Sequence, residues 1–175
     1  MEGATIIHKA DRREVMNHFI PIEREKMKML PVDCSTMSID DLEKEIQSLC
    51  FTRGVSKPIG IYLVGRDDDR RNEKIVQWVF GSILVQGLYS RGVNESINKI
   101  LKKHSWSLFA ASTEIPCSRP SDKLDEKKEI IVTIKQNKPG FEIVDGFHRA
   151  LAMIREGRTQ ILSFIGLHEE DSLKG

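Results

Sequence analysis

Little in this sequence points to a disulfide framework, a metal cage or a membrane anchor. Its three cysteines, Cys34, Cys50 and Cys117, are far apart and odd in number, and no CxxC pair occurs. That excludes a zinc knuckle and favours a reducing setting. The five histidines include no HExxH spacing, so no metal ligands are expected. No apolar run approaches the roughly 20 residues of a membrane helix, and the opening MEGATIIHKADRREV has no apolar core of a signal peptide. We therefore expect a cytoplasmic protein with no membrane partner. Charge of one sign is missing too: the formal net charge is +1. A DNA role would need a local basic patch, because non-specific DNA binding is mostly phosphate neutralisation.

What remains is ordinary for a globular chain, with 39% apolar and 30% charged residues over 175 positions, enough for one domain with a real core. Residues 1–17 are mixed and polar and read as an arm, a short helix or a tail. Phe19 to Ile22 reads as a short strand, with Pro21 suited to an edge. Ser38 is a helix cap with Asp41 three residues on, and Ile39, Leu42, Ile46, Leu49 and Cys50 follow at helical spacing. Ile59 to Val64 reads as a buried strand. A helix is expected from Asn72, carrying Ile75, Val76, Val79, Phe80, Ile83 and Leu84 on one stripe, and a second helix after Asn94. Ser112 to Lys128, with Pro116 and Pro120, reads as a surface loop. Glu129–Lys135 and Phe141–Val144 read as a hairpin around Gln136–Gly140. A helix then runs from about Phe147 to near Gly157, and Thr159–Ile165 is a last strand. The class implied is α/β (α+β), a mixed sheet flanked by helices.

The segment richest in chemistry is Val144-Asp145-Gly146-Phe147-His148-Arg149, a strand turning into a helix. Gly146 allows a sharp turn and close approach of a ligand. The first N–H groups of a helix lack internal partners, and the macrodipole is positive there, so such an end holds anions. His148 and Arg149 add side-chain donors, and arginine grips phosphate in a bidentate way. The competing reading is purely structural: Asp145 caps the helix, Arg149 pairs with a carboxylate, and His148 is a surface residue. Trp78 and Trp106 read as packing residues, with base stacking as the alternative.

The run IVDGFHRALAMIREGRTQILSFI resembles the signature of the ParB/sulfiredoxin-like superfamily: a strand, a Gly-x-His-Arg turn, a helix ending in Gly and a closing strand. Upstream, FIPIEREKMKMLPVD, SIDDLEKEIQSL and KPIGIYLV resemble that family's first strand, helix and second strand in order. The resemblance covers roughly residues 18–64 and 141–167 and implies a single compact domain over 1–175, with a mainly helical insertion at about 66–128. Phe147 stands where sulfiredoxins carry their reactive cysteine, and His148 where ParB proteins have a Glu. The turn is most similar to that of the archaeal free-serine kinases. That similarity implies phosphoryl transfer from ATP or ADP, with CTP as the third candidate, accompanied by Mg2+, to a small hydroxyl-bearing acceptor such as serine.

On that analogy Asp145, Gly146, Phe147, His148 and Arg149, with Ser56 and Lys57, hold the nucleotide phosphates. His148 and Arg149 neutralise charge on the transferred group, and Asp33 takes or orients the acceptor's proton, with Glu23 as a weaker candidate. Two other functions compete. One is a ParB-like DNA-binding or nuclease domain, supported by Arg12-Arg13, Arg70-Arg71 and Lys102-Lys103. The other is a non-catalytic nucleotide-binding regulator, with the insertion serving as a docking or homodimer surface.

Overall fold

The computed structural model describes residues 1–51, 57–64, 75, 77–116, 126–135 and 139–173. A mixed sheet runs through its centre. Its strands are β1 (Ala4–Ala10), β2 (Gln77–Leu84), β3 (Leu88–Tyr89), β4 (Ile130–Lys135), β5 (Phe141–Asp145) and β6 (Gln160–Leu167), in the spatial order β1-β2-β6-β4-β5-β3. β2 runs antiparallel to both of its neighbours, β1 and β6, β4 runs parallel to β6, and β4–β5 is an antiparallel hairpin. Helices α1 (Arg12–Lys26), α2 (Ile39–Phe51) and α3 (Pro58–Val64) cover one face. α4 (Glu95–Lys103), α5 (Leu108–Ala111) and α6 (Phe147–Arg155) cover the other.

Side chains alternate between two cores, as the strand period requires. On β2, Val79 and Ile83 join Ile161 and Ile165 of β6 on the face covered by α4–α6. Trp78 of β2, Val132 and Ile134 of β4, and Phe164 of β6 join α1–α3 on the other. Leu42, Ile46, Val79, Ile83 and Ile165 are all fully buried, and each such side chain contributes about 1.5–3 kcal/mol. Between the central strands, Thr133 and Ser163 hydroxyls hydrogen-bond at 3.0 Å in an otherwise apolar layer, so neither buried oxygen is left unpaired.

The elements read from caps and turn residues are where the sequence places them. Ser38 accepts from the N–H of Asp41 at 3.1 Å, opening α2. Asn94 accepts from Ile97 N–H at 2.9 Å, opening α4. The β4–β5 hairpin, α6 and β6 follow as expected.

Four stretches differ. The polar arm contains β1, an edge strand on β2. Phe19–Ile22 is the middle of α1, with Asp11 as its cap. Val15, Met16, Phe19, Ile20 and Glu23 face inward at helical spacing, and Pro21 sits on the exposed side, where the only hydrogen bond it forfeits is that to the carbonyl of Asn17. Ile59–Val64 is the helix α3, begun by Pro58 at a first-turn position that favours proline. The expected helix over Ile75–Leu84 is the strand β2, sandwiched between β1 and β6. Buried on both faces, it loses the alternation that marks a half-exposed strand. The segment 66–128 therefore supplies β2 and β3 to the sheet itself, and Val79 and Ile83 of the expected helical stripe are buried in its core. Arg70, Arg71 and Cys117 lie outside the described residues. Among the described residues, no helix is long and apolar enough to cross a membrane.

Candidate functional site

β5 ends at Asp145, and α6 begins at Phe147, with Gly146 between them in the left-handed region at φ +94°. A β-carbon at this position would be strained, and it would also stand 2.7 Å from Ile131 Cγ2 and 3.0 Å from Arg149 Nη2. The turn is thus glycine by conformation and by space. Because the capping position carries no side chain, α6 starts without a side-chain cap. Its first-turn N–H groups and the positive end of its dipole lie at the turn.

Arg149 locks this turn from below. Its Nη2 donates to Asp145 Oδ2 at 2.7 Å, across one helical turn. Its Nη1 donates to the carbonyls of Ile130 at 2.8 Å and Lys128 at 3.2 Å. The two side chains are 13% and 11% exposed. Asp145 therefore orients Arg149 and is not the helix cap, and the arginine's fork is committed to protein oxygens. His18, on α1, donates a ring N–H to the same Ile130 carbonyl at 3.2 Å and packs its ring on Phe164 at 5.4 Å. Burial holds the His18 pKa below its ordinary 6.5, with Arg149 and Lys127 pushing the same way and the Ile130 bond and Asp145 opposing.

Lys57 reaches this region from the residue before α3. It forms an ion pair with Glu23 of α1, whose side chain is only 2% exposed. Burial lowers the Lys57 pKa, while the negative charge of Asp145 works against that shift. The structure thus brings Lys57 into the electrostatic reach of the Asp145 turn, far apart though they are in sequence. Cys50 feels Asp145 too, and burial first, then that charge, push its thiol up to about 12. Cys34 is raised by burial and the carboxylates around it, so neither thiol is a ready nucleophile.

The remaining expected residues are placed differently. Phe147 is half-buried against the α4–α6 core. His148 is exposed and meets the Phe147 ring edge-on at 5.3 Å. Asp33 is exposed at the start of a 3-10 turn over Cys34–Thr36. It accepts from Ser35 Oγ at 2.5 Å and Ser35 N–H at 3.0 Å, and these bonds hold its carboxyl below the usual range. Asp33 thus commits one carboxylate oxygen, Oδ1, within its own turn, and is a weaker base than an ordinary aspartate. Ser56 lies outside the described residues.

Sequence reasoning missed His18 altogether, since it fell in a stretch without a clear helical stripe. It ranked Glu23 second and did not foresee its pairing with Lys57. Among the described residues, no group of three or more His, Cys, Asp or Glu side chains could hold a metal ion. Compared with protein-family models, curated proteins and solved structures, the chain finds no match in any of the three.

Proposed function

We propose that this chain is a nucleotide-binding domain of the ParB/sulfiredoxin-like kind that transfers a phosphoryl group to a small hydroxyl-bearing acceptor, free serine being the first to try. One observation carries the reading: the uncapped start of α6 at Gly146, rigidly held by the Asp145–Arg149 pair. A preorganised, positively polarised helix end is what phosphate oxygens need.

In this reading the residues divide the work differently from the sequence expectation. The first-turn N–H groups of α6 hold phosphate, and the exposed His148 side chain adds a donor at the mouth. Arg149 becomes a positioning residue, because its donors already serve Asp145, Ile130 and Lys128. Lys57 contributes positive charge beside Asp145 while its own partner is Glu23. The nucleotide, ATP or ADP before CTP, supplies the phosphoryl group, and its Mg2+ rides on the phosphates. Asp33, a weakened base, orients the acceptor hydroxyl.

The DNA reading loses support from Arg12 and Arg13. Arg12 pairs with Glu43 and donates to the Leu63 carbonyl, and Arg13 donates to the carbonyls of Cys34 and Met37. Neither is available to a phosphate backbone.

A thermal-shift screen of ATP, ADP, CTP, GTP and AMP with magnesium tests the proposal, since a ligand of the folded state raises the melting temperature. We expect a nucleotide-specific rise that shrinks in His148→Ala, whose exposed side chain can be removed without unfolding the chain. Phosphoserine formation should then fall in Asp33→Asn while the thermal shift persists. No shift with any nucleotide at millimolar concentration sinks the reading. A shift without turnover on any hydroxyl acceptor leaves the non-catalytic regulator in its place.

A further inference from the structure

At the opposite end of β5 from the Asp145 turn lies a cleft of about 370 Å³, within the size range of small-ligand sites. Tyr89, Arg91, Ser105, Trp106 and Ser107 form much of its wall, and Gly140 closes one side. None of the lining residues is a carboxylate, and one is a cation. The Arg91 guanidinium lies 5.6 Å from the centre of the Tyr89 ring, and among the described residues no carboxylate lies within ion-pair distance of it. Beside the rim, Lys135 Nζ donates to the Gly140 carbonyl at 3.4 Å and adds a second positive charge.

The wall is built at a cost to the backbone. Ser105 and Trp106 are consecutive non-glycine residues in the left-handed region, at φ 53° and 69°, a conformation unusual for a bulky aromatic. Hydrogen bonds hold them there: Trp106 N–H donates to Leu101 O at 2.7 Å, and Ser90 N–H donates to Trp106 O at 3.1 Å. Ser105 N–H also donates to Lys102 O at 3.2 Å, so the pair closes the C-terminal end of α4 in a Schellman-type turn. Its result is to stand the half-buried Trp106 beside Tyr89. Gly140, at φ +95°, lets the hairpin close on β3, where a β-carbon would come within 2.5 Å of the Gly87 carbonyl oxygen.

We infer that this cleft is a second binding site, for a small flat anion: an aromatic or heteroaromatic ring carrying a carboxylate or a phosphate. The ring rests against Tyr89 and Trp106, and the anionic group meets Arg91, whose planar fork suits both carboxylate and phosphate. The inference does not depend on the phosphotransferase reading.

Trp106 itself reports on binding. In a Trp78→Phe background it is the sole tryptophan of the chain. Its emission is titrated with nicotinate and with AMP, each against its uncharged counterpart, nicotinamide and adenosine. We expect at least one anion to give a saturable change, with its neutral counterpart weaker by about tenfold or more, the worth of one charge-assisted contact. The stronger of the two anions tells a carboxylate ligand from a phosphate ligand. Arg91→Gln should abolish the difference between anion and neutral ring. Amide shifts in NMR spectra should centre on Ser105–Ser107 and spare Gly146–Arg149. No saturable change with either anion at millimolar concentration overturns the inference, as does equal binding of charged and neutral rings, an unaltered response in Arg91→Gln, or amide shifts confined to Gly146–Arg149.

Discussion

Two arginines beside two turns with left-handed backbone divide this molecule's chemistry between them. Arg149 lies under the Gly146 turn with its donors engaged by Asp145, Ile130 and Lys128, and is largely buried. Arg91 lies over a tyrosine ring at the mouth of a cleft, is exposed, and meets no carboxylate among the described residues. An arginine next to a glycine turn is commonly read as a phosphate grip, yet here the arginine in the motif is structural and the one outside it is available. What an arginine does is decided by the oxygens already around it, and those come from distant parts of the chain.

The sharpest way to break this comparison is to truncate both arginines. Arg149→Ala should cost about 3 kcal/mol, because it leaves Asp145 in a mostly buried place without its partner. Arg91→Ala should change stability by less than about 0.5 kcal/mol, as exposed substitutions do. Urea unfolding of the two variants measures both, and equal losses would dissolve the distinction. Next in size are the turns. Gly146→Ala should destabilise by about 2 kcal/mol from left-handed strain and the contact with Ile131. Ser105→Gly should instead stabilise by about 0.5–1 kcal/mol, since it relieves a strained position.

The smallest effect is a pH dependence local to the Arg149 side. His18 is held below its ordinary value of 6.5, chiefly by burial, so the folded state favours the neutral ring. The unfolded chain then binds the proton more readily. Stability from this group is fully present above pH 6.5 and is lost as pH falls through the lowered folded value. Denaturation midpoints measured at descending pH should show this fall in wild type and in Arg91→Gln, and a shallower one in His18→Gln.

Legibility followed the local signals. Ser38, Asn94, Gly146 and Gly157 are caps or stops whose effect acts within a few residues, and α2, α4 and α6 were readable from them. The β4–β5 hairpin carries its turn chemistry in Pro139-Gly140. β2 and α3 were misread for one shared reason: each is buried nearly all round, so neither a two-residue nor a 3.6-residue period survives in its apolar run. α1 was hidden by Pro21, which is tolerated because it faces solvent. At the site, the Asp145–Arg149 spacing of four residues permits an ion pair on any helix. The carbonyls of Lys128 and Ile130 that complete its cage are tertiary neighbours and leave no trace at positions 145–149. The same is true of the Glu23–Lys57 pair and of the left-handed pair Ser105-Trp106.

The edge strand β1 bears on how the molecule stays apart from its own copies. Its neighbour β2, QWVFGSIL, is an apolar segment of high strand propensity, the kind that templates aggregation when its hydrogen-bonding edge is open. β1 covers that edge, and Gly81 lets it sit close, since a β-carbon there would fall 2.4 Å from the Thr5 carbonyl oxygen. β1 in turn presents an outer edge interrupted by an irregularity between Ile6 and His8 and followed by Lys9, a poor template for further pairing. A handful of N-terminal residues thus serves as a selvedge to the sheet. Trimming them, or tethering them in an expression fusion, should increase precipitation of the protein, measured by light scattering.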